Sequence, residues 1–444
     1  MLSSSNNSSG GSGGDGGSGA GPTTTTNSGG TTSTPTTSTS SSTDTTFPTT
    51  GSGGTTITGP CAELSVYEPY ATLAGGLQVH QRSPKLGYSS PDGMSVTLAT
   101  AWQDADPPGP NPPIELRHTS FEPWIDFPDG SLGPTYLADL DAGVSFAISR
   151  GNPGDFALLH RDFKTPPASG LRFSADFKPK SGDVPASILA DANADDALFV
   201  RDGGGGKWLF AGAEKMGANY EVRAGITNGS LVEADFPVSC VNSLVKADAV
   251  ATSGGFLMAV TADTASPSDC STTPVSIGGP TVFVVQGNQI VGTNPSMQGH
   301  PAQDVVMAPR SNGAWVVWQA FGGEDLPEFT YVMSVDEKGL PVVGAVQMPM
   351  ICLPDSLAAA SFEDFLIVGC ITFTSVGPAP VVQVVDPFGD LRAYREVGPT
   401  GDALGRVALI GSPMSRSALL VWSEDPGAGG DQMRITRLDC LDKG

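Results

Sequence analysis

The sequence of 444 residues contains no run of 18 consecutive apolar residues, so it predicts no transmembrane helix. Basic residues are scarce: 23 Lys and Arg stand against 46 Asp and Glu, which gives a formal net charge of -23. Nucleic acids and anionic membranes require a net positive face, so neither is an expected partner. Gly 57 and Pro 37 are abundant while charged residues make up only 16%. This turn-rich composition favours many short strands over helices.

Sequence signatures of common catalytic sites are also missing. The chain has no His-Glu-x-x-His pattern, no phosphate-binding Gly-x-x-x-x-Gly-Lys-Ser/Thr loop and no Gly-x-Ser-x-Gly elbow on a strand. It has only four histidines, and its six cysteines include no Cys-x-x-Cys pair, which argues against zinc ligation.

The first sixty residues differ in composition from the rest of the chain. Residues 1–60 consist mainly of Ser, Thr, Gly, Asn and Pro, contain no Lys or Arg, and carry charge only at Asp15 and Asp44. Apolar side chains are too sparse here to offset the entropy of ordering, so we predict a disordered tether. Met1-Leu2 runs directly into Ser and Asn without a basic start or an apolar stretch, so no signal peptide is expected in this sequence.

A short turn ending in glycine recurs roughly every 50 residues over the rest of the chain. The turns are at residues 128–130, 181–182, 228–229, 286–287, 338–339, 388–389 and 443–444. A run rich in β-branched and aromatic residues precedes each turn, as in a strand. Earlier in each repeat lies a more continuously apolar run, such as 314–318 or 418–422, which is typical of a strand buried on both faces.

Three strands and a linking fourth in each of seven repeats predict the fold. We predict an all-β chain in which residues 61–444 form a seven-bladed β-propeller of four-stranded antiparallel blades. A two-sheet sandwich is the alternative, but it offers no reason for seven matching turns. The last repeat has no residues left for its outermost strand, whereas a surplus strand around 63–70 precedes the first repeat. We therefore predict that the N-terminal strand pairs antiparallel with residues 432–439 and completes the last blade, because closure removes exposed sheet edges.

The cysteines can be placed on this repeat. Cys61 begins the surplus strand and Cys440 ends the last strand, so ring closure would bring them together. The other four occupy linkers before buried strands and the segments that follow. The predicted disulfides are Cys61–Cys440, Cys240–Cys270 and Cys352–Cys370. Three disulfides imply an oxidising compartment, and buried free thiols in a cytosolic protein are the alternative.

Acidic residues follow the buried strands within a few positions in most repeats. These residues are Asp104, Asp162, Glu214, Asp263, Glu324 and Glu424. Their loops share one face of the propeller with the linkers between blades, one of which contains His300. We predict that these residues and His300 form a ligand-binding face, because a ring of carboxylates around a channel mouth attracts a basic partner. The simpler explanation, which we prefer, is that Asp and Glu cap turns and keep a lysine-poor surface soluble.

The segment 191–196 alternates oxygen-bearing side chains in the manner of a calcium loop. Its ligands would be Asp191, Asn193 and Asp195. The segment lacks the central glycine and the distant bidentate glutamate of such loops. We therefore predict no cofactor, with calcium at these three residues as the alternative.

Two resemblances bear on location. The tryptophans late in buried strands, Trp102, Trp318 and Trp422, resemble those of uncharacterised secreted propellers over roughly residues 62–444, a resemblance of fold alone. Residues 1–60 resemble the Ser/Gly/Thr spacer that follows the lipid-bearing cysteine of bacterial surface lipoproteins, although that cysteine is absent here. These resemblances imply an extracytoplasmic protein, either secreted or held at the cell surface like an outer-membrane lipoprotein.

The leading functional hypothesis is a tethered, monomeric, non-enzymatic binding or scaffold module. Its loop face would hold a protein, peptide or glycan ligand. The alternative is a hydrolase or lyase that acts on polysaccharide through loop-face carboxylates, which would require a pair of carboxylates ~5–10 Å apart. Buried acids with raised pKa values at the channel mouth would favour the enzyme, and exposed acids would favour the binding module.

Overall fold

A computed structural model of the chain describes a series of ranges in its second part. These ranges are 59–68, 70–75, 79–90, 92–104, 114–128, 130–140, 147–150, 156–160, 169–173, 194–202, 207–216, 219–227, 232–241, 246–261, 279–287, 289–295, 302–320, 329–375, 377–398, 402–427 and 430–443. Every regular secondary-structure element in these ranges is a β-strand. The predicted tether lies outside them except for Gly59 and Pro60, which belong to the first strand.

The strands of the first half are β1 (Gly59–Val66), β2 (Ala71–Leu73), β3 (Val79–Tyr88), β4 (Val96–Asp104), β5 (Ile114–Phe121), β6 (Ser131–Leu132), β7 (Thr135–Leu140), β8 (Ala147–Arg150), β9 (Phe156–His160), β10 (Ser169–Phe173), β11 (Ala194–Asp202), β12 (Trp208–Met216), β13 (Asn219–Thr227) and β14 (Val232–Val241). Those of the second half are β15 (Lys246–Thr252), β16 (Gly255–Thr261), β17 (Thr281–Gln286), β18 (Gln289–Pro295), β19 (Ala302–Arg310), β20 (Gly313–Ala320), β21 (Phe329–Asp336), β22 (Pro341–Met348), β23 (Ala358–Phe362), β24 (Phe365–Thr374), β25 (Gly377–Val385), β26 (Leu391–Glu396), β27 (Asp402–Gly411), β28 (Ser417–Asp425) and β29 (Gln432–Lys443).

The chain is an all-β propeller, but the prediction of seven four-stranded blades is wrong. Five sheets in the described ranges are four-stranded blades: β3-β4-β5-β7, β11-β12-β13-β14, β15-β16-β17-β18, β19-β20-β21-β22 and β23-β24-β25-β26. Two other sheets depart from this pattern: β8, β9 and β10 form a three-stranded sheet, and β27, β28, β29, β1, β2 and β6 form a six-stranded sheet. Evenly spaced turns count hairpins along the chain, and they do not determine how many strands pair in each sheet.

The first strand of each sheet lies nearest the axis. Successive first strands contact one another in the circuit β3, β8, β11, β15, β19, β23, β27 and back to β3. We call the space that they enclose the central channel. The first strands begin at the end where the second strands finish, since Lys246 lies opposite Thr261 and Asp402 lies opposite Asp425. We call this end of the channel the loop end.

The hydrophobic core lies between the faces of neighbouring sheets. Leu257 and Val282 of one blade pack with Met307 and Trp318 of the next. Second strands are covered on both faces, and all eight residues of β20 are buried. This burial confirms the inference from the continuously apolar runs, because a residue on either face of such a strand meets another sheet.

The predicted turns at 286–287, 338–339 and 388–389 connect the third and fourth strands of their blades. Gly339 and Gly389 have φ values of 73° and 93°, which glycine adopts without the clash of a Cβ atom. An aspartate precedes each glycine by three residues, and its Oδ1 accepts backbone N–H bonds across the turn. Asp336 accepts from Leu340 at 2.8 Å, and Asp386 accepts from Asp390 at 2.9 Å.

The N-terminal segment pairs with the last strand, as predicted. β1 runs antiparallel to β29, with Leu64 opposite Cys440 and Val66 opposite Leu438. The predicted single strand around 63–70 is divided, however, because β29 has 12 residues and accommodates both β1 and β2 along one edge. β6 then adds in parallel to β2, which produces the six-stranded sheet.

Two of the three predicted disulfides are present. Cys61 and Cys440 are bonded across the β1–β29 pair, with their Cα atoms 4.8 Å apart. Cys352 and Cys370 are bonded with a Cα separation of 5.6 Å. Cys240 is also disulfide-bonded, whereas its predicted partner Cys270 lies outside the described residues. Disulfides of this kind are typical of proteins in oxidising compartments.

Within the described ranges, no helix has the length and apolarity needed to cross a membrane.

Candidate functional site

Charged side chains on several first strands act on one another electrostatically, and some of them form ion pairs. We call them the axial cluster, which consists of Lys85 of β3, Arg201 of β11, Lys246 and Asp248 of β15, Asp304 of β19, Asp355 before β23, and Arg406 of β27. The cluster gathers four of the chain's 23 basic residues around the axis of an otherwise acidic protein.

Irregular backbone places two of these cations. The register of β3 against β4 shifts just before Lys85, where Ser83 has a φ of 53°. β27 shifts against β28 around Arg406, beside Gly405 with a φ of 66°. A β-bulge changes the direction of the side chains next to it. The simple alternation of a strand therefore does not determine where Lys85 and Arg406 point.

Asp248 connects three first strands. Its carboxylate forms an ion pair with Arg201, which also donates its Nε–H to the carbonyl of Ala249 at 2.8 Å. The other carboxylate oxygen accepts the backbone N–H of Met307 at 2.8 Å. Both oxygens of Asp248 are thus occupied by protein groups, which indicates a structural role.

Asp304 occupies the equivalent place in the next blade but has fewer partners. Its Oδ1 accepts the N–H of Val305 at 2.9 Å, and no ion pair holds it within the described part of the chain. The residue is only 6% exposed. Burial raises the pKa of its carboxyl to about 6, although the charges of Arg406 and Lys246 oppose this shift.

Asp355 is the exposed acid of the axial cluster. It forms ion pairs with Lys246 at 2.6 Å and with Arg406 at 3.3 Å. Partial burial favours its neutral form, but the hydrogen bond from Lys246 and the charges of Lys246 and Arg406 outweigh this effect. The pKa of Asp355 is therefore below its ordinary value.

Lys85 is the cation without a counter-ion. Within the described ranges, no carboxylate lies within ion-pair distance of its ammonium group, and its side chain is only partly exposed. Loss of water around the amine lowers its pKa, and the charges of Arg406 and Arg201 lower it further, to about 8. Asp248 and Asp304 offset only part of this shift. The axial cluster is thus short of negative charge at Lys85.

The structure describes only part of the predicted loop face, so that face stays a prediction. Asp104 is exposed at the end of β4. Glu424 is fully buried, and its Oε1 accepts from the guanidinium of Arg434 at 3.1 Å, so this acid serves an ion pair within its own sheet. Glu214 lies in β12. The remaining predicted residues lie outside the described ranges: Asp162, Asp263, His300 and Glu324.

The predicted calcium ligands are divided in the same way. Asp195 lies in β11, whereas Asp191 and Asn193 are outside the described residues. Where the structure describes side chains, no three His, Cys, Asp or Glu residues form a group that could hold a metal ion. Calcium in this segment remains a prediction.

Sequence reasoning missed the axial cluster because it searched the loops after second strands. The signal that could have found the cluster is charge inside the strands that precede the buried runs, as at Lys246, Asp248 and Asp304. Such strands face the axis in a propeller, so charge within them meets across the channel. The bulges next to Lys85 and Arg406 have no comparable sequence signal.

Comparisons with known proteins give no family for this chain. No protein-family model matches it, and no curated protein matches its sequence. Among solved structures, it resembles the α-L-arabinofuranosidase Arb93A from Fusarium graminearum at 12% identity and a TM-score of 0.42, covering 86% of this chain and 98% of that one. It also resembles the β-propeller domain of the Trilobed protease from Pyrococcus furiosus at 8% identity and a TM-score of 0.47, covering 82% and 95%. Likenesses this weak carry no argument about function.

Proposed function

We propose that this protein is an exported, non-enzymatic binding module whose central channel holds the carboxylate of an acidic glycan. The observation that carries the proposal is Lys85, a partly buried ammonium on which the charges of Arg406 and Arg201 act and which has no carboxylate counter-ion in the described residues. A charge removed from water without a partner is costly, and such groups are concentrated at functional sites. A bound anion would remove that cost.

The ligand's carboxylate would interact with Lys85 and Arg406. Arg406 is 39% exposed and shares Asp355 with Lys246, so part of its guanidinium can face a ligand. Arg201 is already committed to Asp248 and Ala249, and it contributes charge rather than a free donor. Ammonium and guanidinium groups form strong charge-assisted hydrogen bonds with carboxylates.

The predicted acidic loop residues fit a glycan better than a peptide. We propose that Asp104, Asp162, Glu214, Asp263 and Glu324, with His300, surround the channel mouth and accept hydrogen bonds from sugar hydroxyls. Glu424 is omitted from this set because it is buried against Arg434. Each sugar of an acidic glycan brings hydroxyls that can donate to these acids beside its own carboxylate, whereas the side chains of oligoglutamate bring carboxylates alone.

Export and tethering complete the proposal. The disulfides support an oxidising compartment, and the composition of residues 1–60 supports a spacer that displays the propeller away from an anchoring point. A calcium ion in the segment 191–196 would fit the same setting.

Binding can be tested with the full chain and three probes of similar length: oligogalacturonate, its methyl ester and oligoglutamate. Calorimetric titration should show that the protein binds oligogalacturonate at least about tenfold more tightly than the uncharged ester. The reason is that one charge-assisted hydrogen bond is worth about 1.5–3 kcal/mol. Equal binding of the ester would contradict a carboxylate site. Tighter binding of oligoglutamate would reassign the ligand to an acidic peptide.

The variant Lys85→Met should lose about tenfold or more in affinity for oligogalacturonate. Lys338→Met is the matched control, because Lys338 is exposed in the β21–β22 turn and does not belong to the axial cluster. An equal loss in both variants would indicate attraction by overall charge rather than a site in the channel.

A polysaccharide-acting hydrolase or lyase is the second candidate function, and Asp304 favours it. A buried carboxyl with a pKa of about 6 is suited to donate a proton near neutral pH. Among the described acids, however, Asp304 alone combines burial with a raised pKa, and glycoside chemistry requires a second carboxylate. Chain cleavage of oligogalacturonate that disappears in Asp304→Asn would replace the binding module by this enzyme.

A further inference from the structure

Two large apolar side chains are exposed where the blade β3-β4-β5-β7 meets the six-stranded sheet. Ile125, in the segment that follows β5, is 69% exposed, and Met414, in the β27–β28 loop, is 72% exposed. Single exposed apolar side chains are common on proteins, whereas contiguous apolar patches are associated with interaction sites. The contacts between these two loops therefore decide how the exposure is interpreted.

Gly93, in the β3–β4 loop, brings the two loops together. The indole Nε1–H of Trp124 donates to the carbonyl of Gly93 at 3.0 Å. Gly93 also packs so closely on Pro413 that a Cβ atom at this glycine would lie 2.7 Å from the proline Cγ. Ile125 follows Trp124 and Met414 follows Pro413, so the two exposed side chains lie on loops that meet at Gly93. We call Trp124, Ile125, Pro413 and Met414 the apolar patch.

Contacts within the fold hold the patch in place. The ring of Phe127 packs on that of Tyr67 with the centroids 4.8 Å apart, and the guanidinium of Arg437 lies 5.5 Å from the Tyr67 centroid. Arg437 also donates to the carbonyl of Pro123 at 3.2 Å. Pro123 and Phe127 are both buried, and they flank the part of the patch that follows β5. A surface that is already ordered binds without the entropy cost of ordering it.

Acidic residues border the patch. Glu122 and Asp126 are exposed in the segment after β5, and Asp92 is exposed beside Gly93. Glu122 accepts the hydroxyl of Ser95 at 3.4 Å, which places this acid next to the β3–β4 loop. Within the described ranges, no cation forms an ion pair with Glu122 or Asp126.

The neighbouring cations already have acidic partners. Arg416 of the β27–β28 loop pairs with Glu363 at 3.0 Å and with Asp442 at 3.1 Å. Arg437 pairs with Asp439 at 3.2 Å. The border of the patch therefore carries negative charge that these cations do not neutralise.

We propose that the apolar patch is the docking site of a partner protein and that it binds a basic amphipathic segment of that protein. Apolar side chains of the segment would cover Ile125 and Met414, and its lysines or arginines would pair with the acids at the border. Charge complementarity of this kind sets orientation and speeds association. A second copy of this chain would bring the same acids and a net charge of -23, so like charges would oppose self-association. The patch shares no residue with the axial cluster, so this site does not depend on a ligand in the channel.

The test uses the full chain and a model peptide of about 14 leucine and lysine residues, arranged so that a helix has one apolar and one basic face. NMR of the methyl groups should show that the signals of Ile125 and Met414 shift during titration, whereas that of the buried Met258 does not. A peptide with glutamine in place of each lysine should bind at least about fivefold more weakly, because two exposed ion pairs together contribute about that factor.

A double variant measures the apolar part of the surface. Ile125→Ser combined with Met414→Ser should weaken binding of the leucine-lysine peptide at least about tenfold, since burial of one such side chain alone contributes about that factor. Phe388→Ser is the matched control, because Phe388 is 81% exposed in a turn whose Gly389 packs on Val343 of β22. All three side chains are exposed, so the melting temperature should not change in either variant.

A second double variant measures the charge. Glu122→Gln combined with Asp126→Asn should weaken binding about fivefold at low salt, and the loss should shrink in about 1 M salt because exposed charges are screened. Glu396→Gln combined with Asp425→Asn is the control, since both of these acids are exposed and neither borders the patch.

Losses in the two patch variants, with binding kept in both controls, are the expected result. The proposal is overturned if the peptide leaves the signals of Ile125 and Met414 unmoved, if patch and control variants bind it equally, or if the glutamine peptide binds as tightly. Sedimentation of the full chain tests the other occupant. A dimer that dissociates when both apolar residues are replaced by serine would assign the patch to a second copy and contradict a basic partner. None of these measurements depends on oligogalacturonate, so their failure leaves the proposed channel site standing.

Discussion

The closing seam, where β29 meets β1 and β2, and the axial cluster use charge in opposite ways. Glu63 of β1 pairs with Lys443 of β29 across the seam. On the other side of β29, Glu424 of β28 pairs with Arg434, so positive and negative groups match along the sheet. In the axial cluster, Lys85 lacks a carboxylate and Asp304 has no ion pair in the described ranges. Buried charges that are all paired stabilise the fold. A cation that lacks a carboxylate partner can instead be neutralised by an anionic ligand.

Removal of the seam strands should lower the stability of the protein more than any other change considered below. Deletion of residues 1–73 removes β1, β2 and Cys61, and it exposes the edge of β29. We expect a chain that aggregates or melts at least ~10 °C lower, because an unpaired edge promotes association and the closing disulfide is lost. Deletion of residues 1–58 is the control and should leave the melting temperature unchanged by calorimetry. Equal melting temperatures for the two truncations would contradict a structural role for the seam.

The two disulfides should differ in their contribution to stability. The Cys61–Cys440 bond closes a loop with a sequence separation of 379, and the Cys352–Cys370 bond closes one of 18. Chain-entropy arguments give roughly 6 kcal/mol for the long loop and ~3 kcal/mol for the short one. Paired Cys→Ser variants unfolded in denaturant should therefore lose more stability at the seam. A larger loss at Cys352–Cys370 would mean that the seam is held by strand pairing alone.

Breaking the buried Glu424–Arg434 ion pair, which lies next to the seam in the same sheet, should cost about 3 kcal/mol. Glu424→Gln leaves Arg434 without its charge partner in a buried place, and such losses are typically ~3–5 kcal/mol. Glu363→Gln, which breaks an exposed pair with Arg416, should cost less than about 1 kcal/mol. Denaturant unfolding of the two variants measures both values, and similar small losses would place Glu424 among ordinary surface pairs.

Removal of a charge from the axial cluster should increase the stability of the protein, whereas removal of the charge of Glu424 decreases it. Folded Asp304, with a pKa of about 6, retains a proton that the unfolded chain releases near 3.8, so its contribution to stability is lost as the pH rises from about 4 to about 6. Asp304→Asn keeps an acceptor for Val305 and removes this penalty. The variant should be at least ~1 kcal/mol more stable than the natural chain at pH 7, with the difference shrinking toward pH 4. Parallel stability curves for the two proteins would show that Asp304 ionises without cost.

The seam was predictable from sequence and the axial cluster was not. Repeat spacing and the surplus strand near Cys61 placed β1 beside β29 to within a few residues. The same spacing gave too many four-stranded blades, because turns such as 181–182 mark a repeat without fixing the pairing of its strands. Lys85 and Arg406 come from strands far apart in the chain and lie next to bulges, which depend on backbone geometry rather than on the local pattern.

The ionisation of Lys85 tests the shortage of negative charge most directly. The side-chain nitrogen can be followed by NMR in lysine-labelled full-length protein, with Lys85→Arg identifying its signal. We predict a pKa of about 8 in the free protein and a rise toward the ordinary lysine value of 10.5 when the channel is saturated with oligogalacturonate, since a bound carboxylate stabilises the charged amine. A pKa near 10.5 in the free protein, or one that does not move on binding, would contradict the assignment of Lys85 to an anion site.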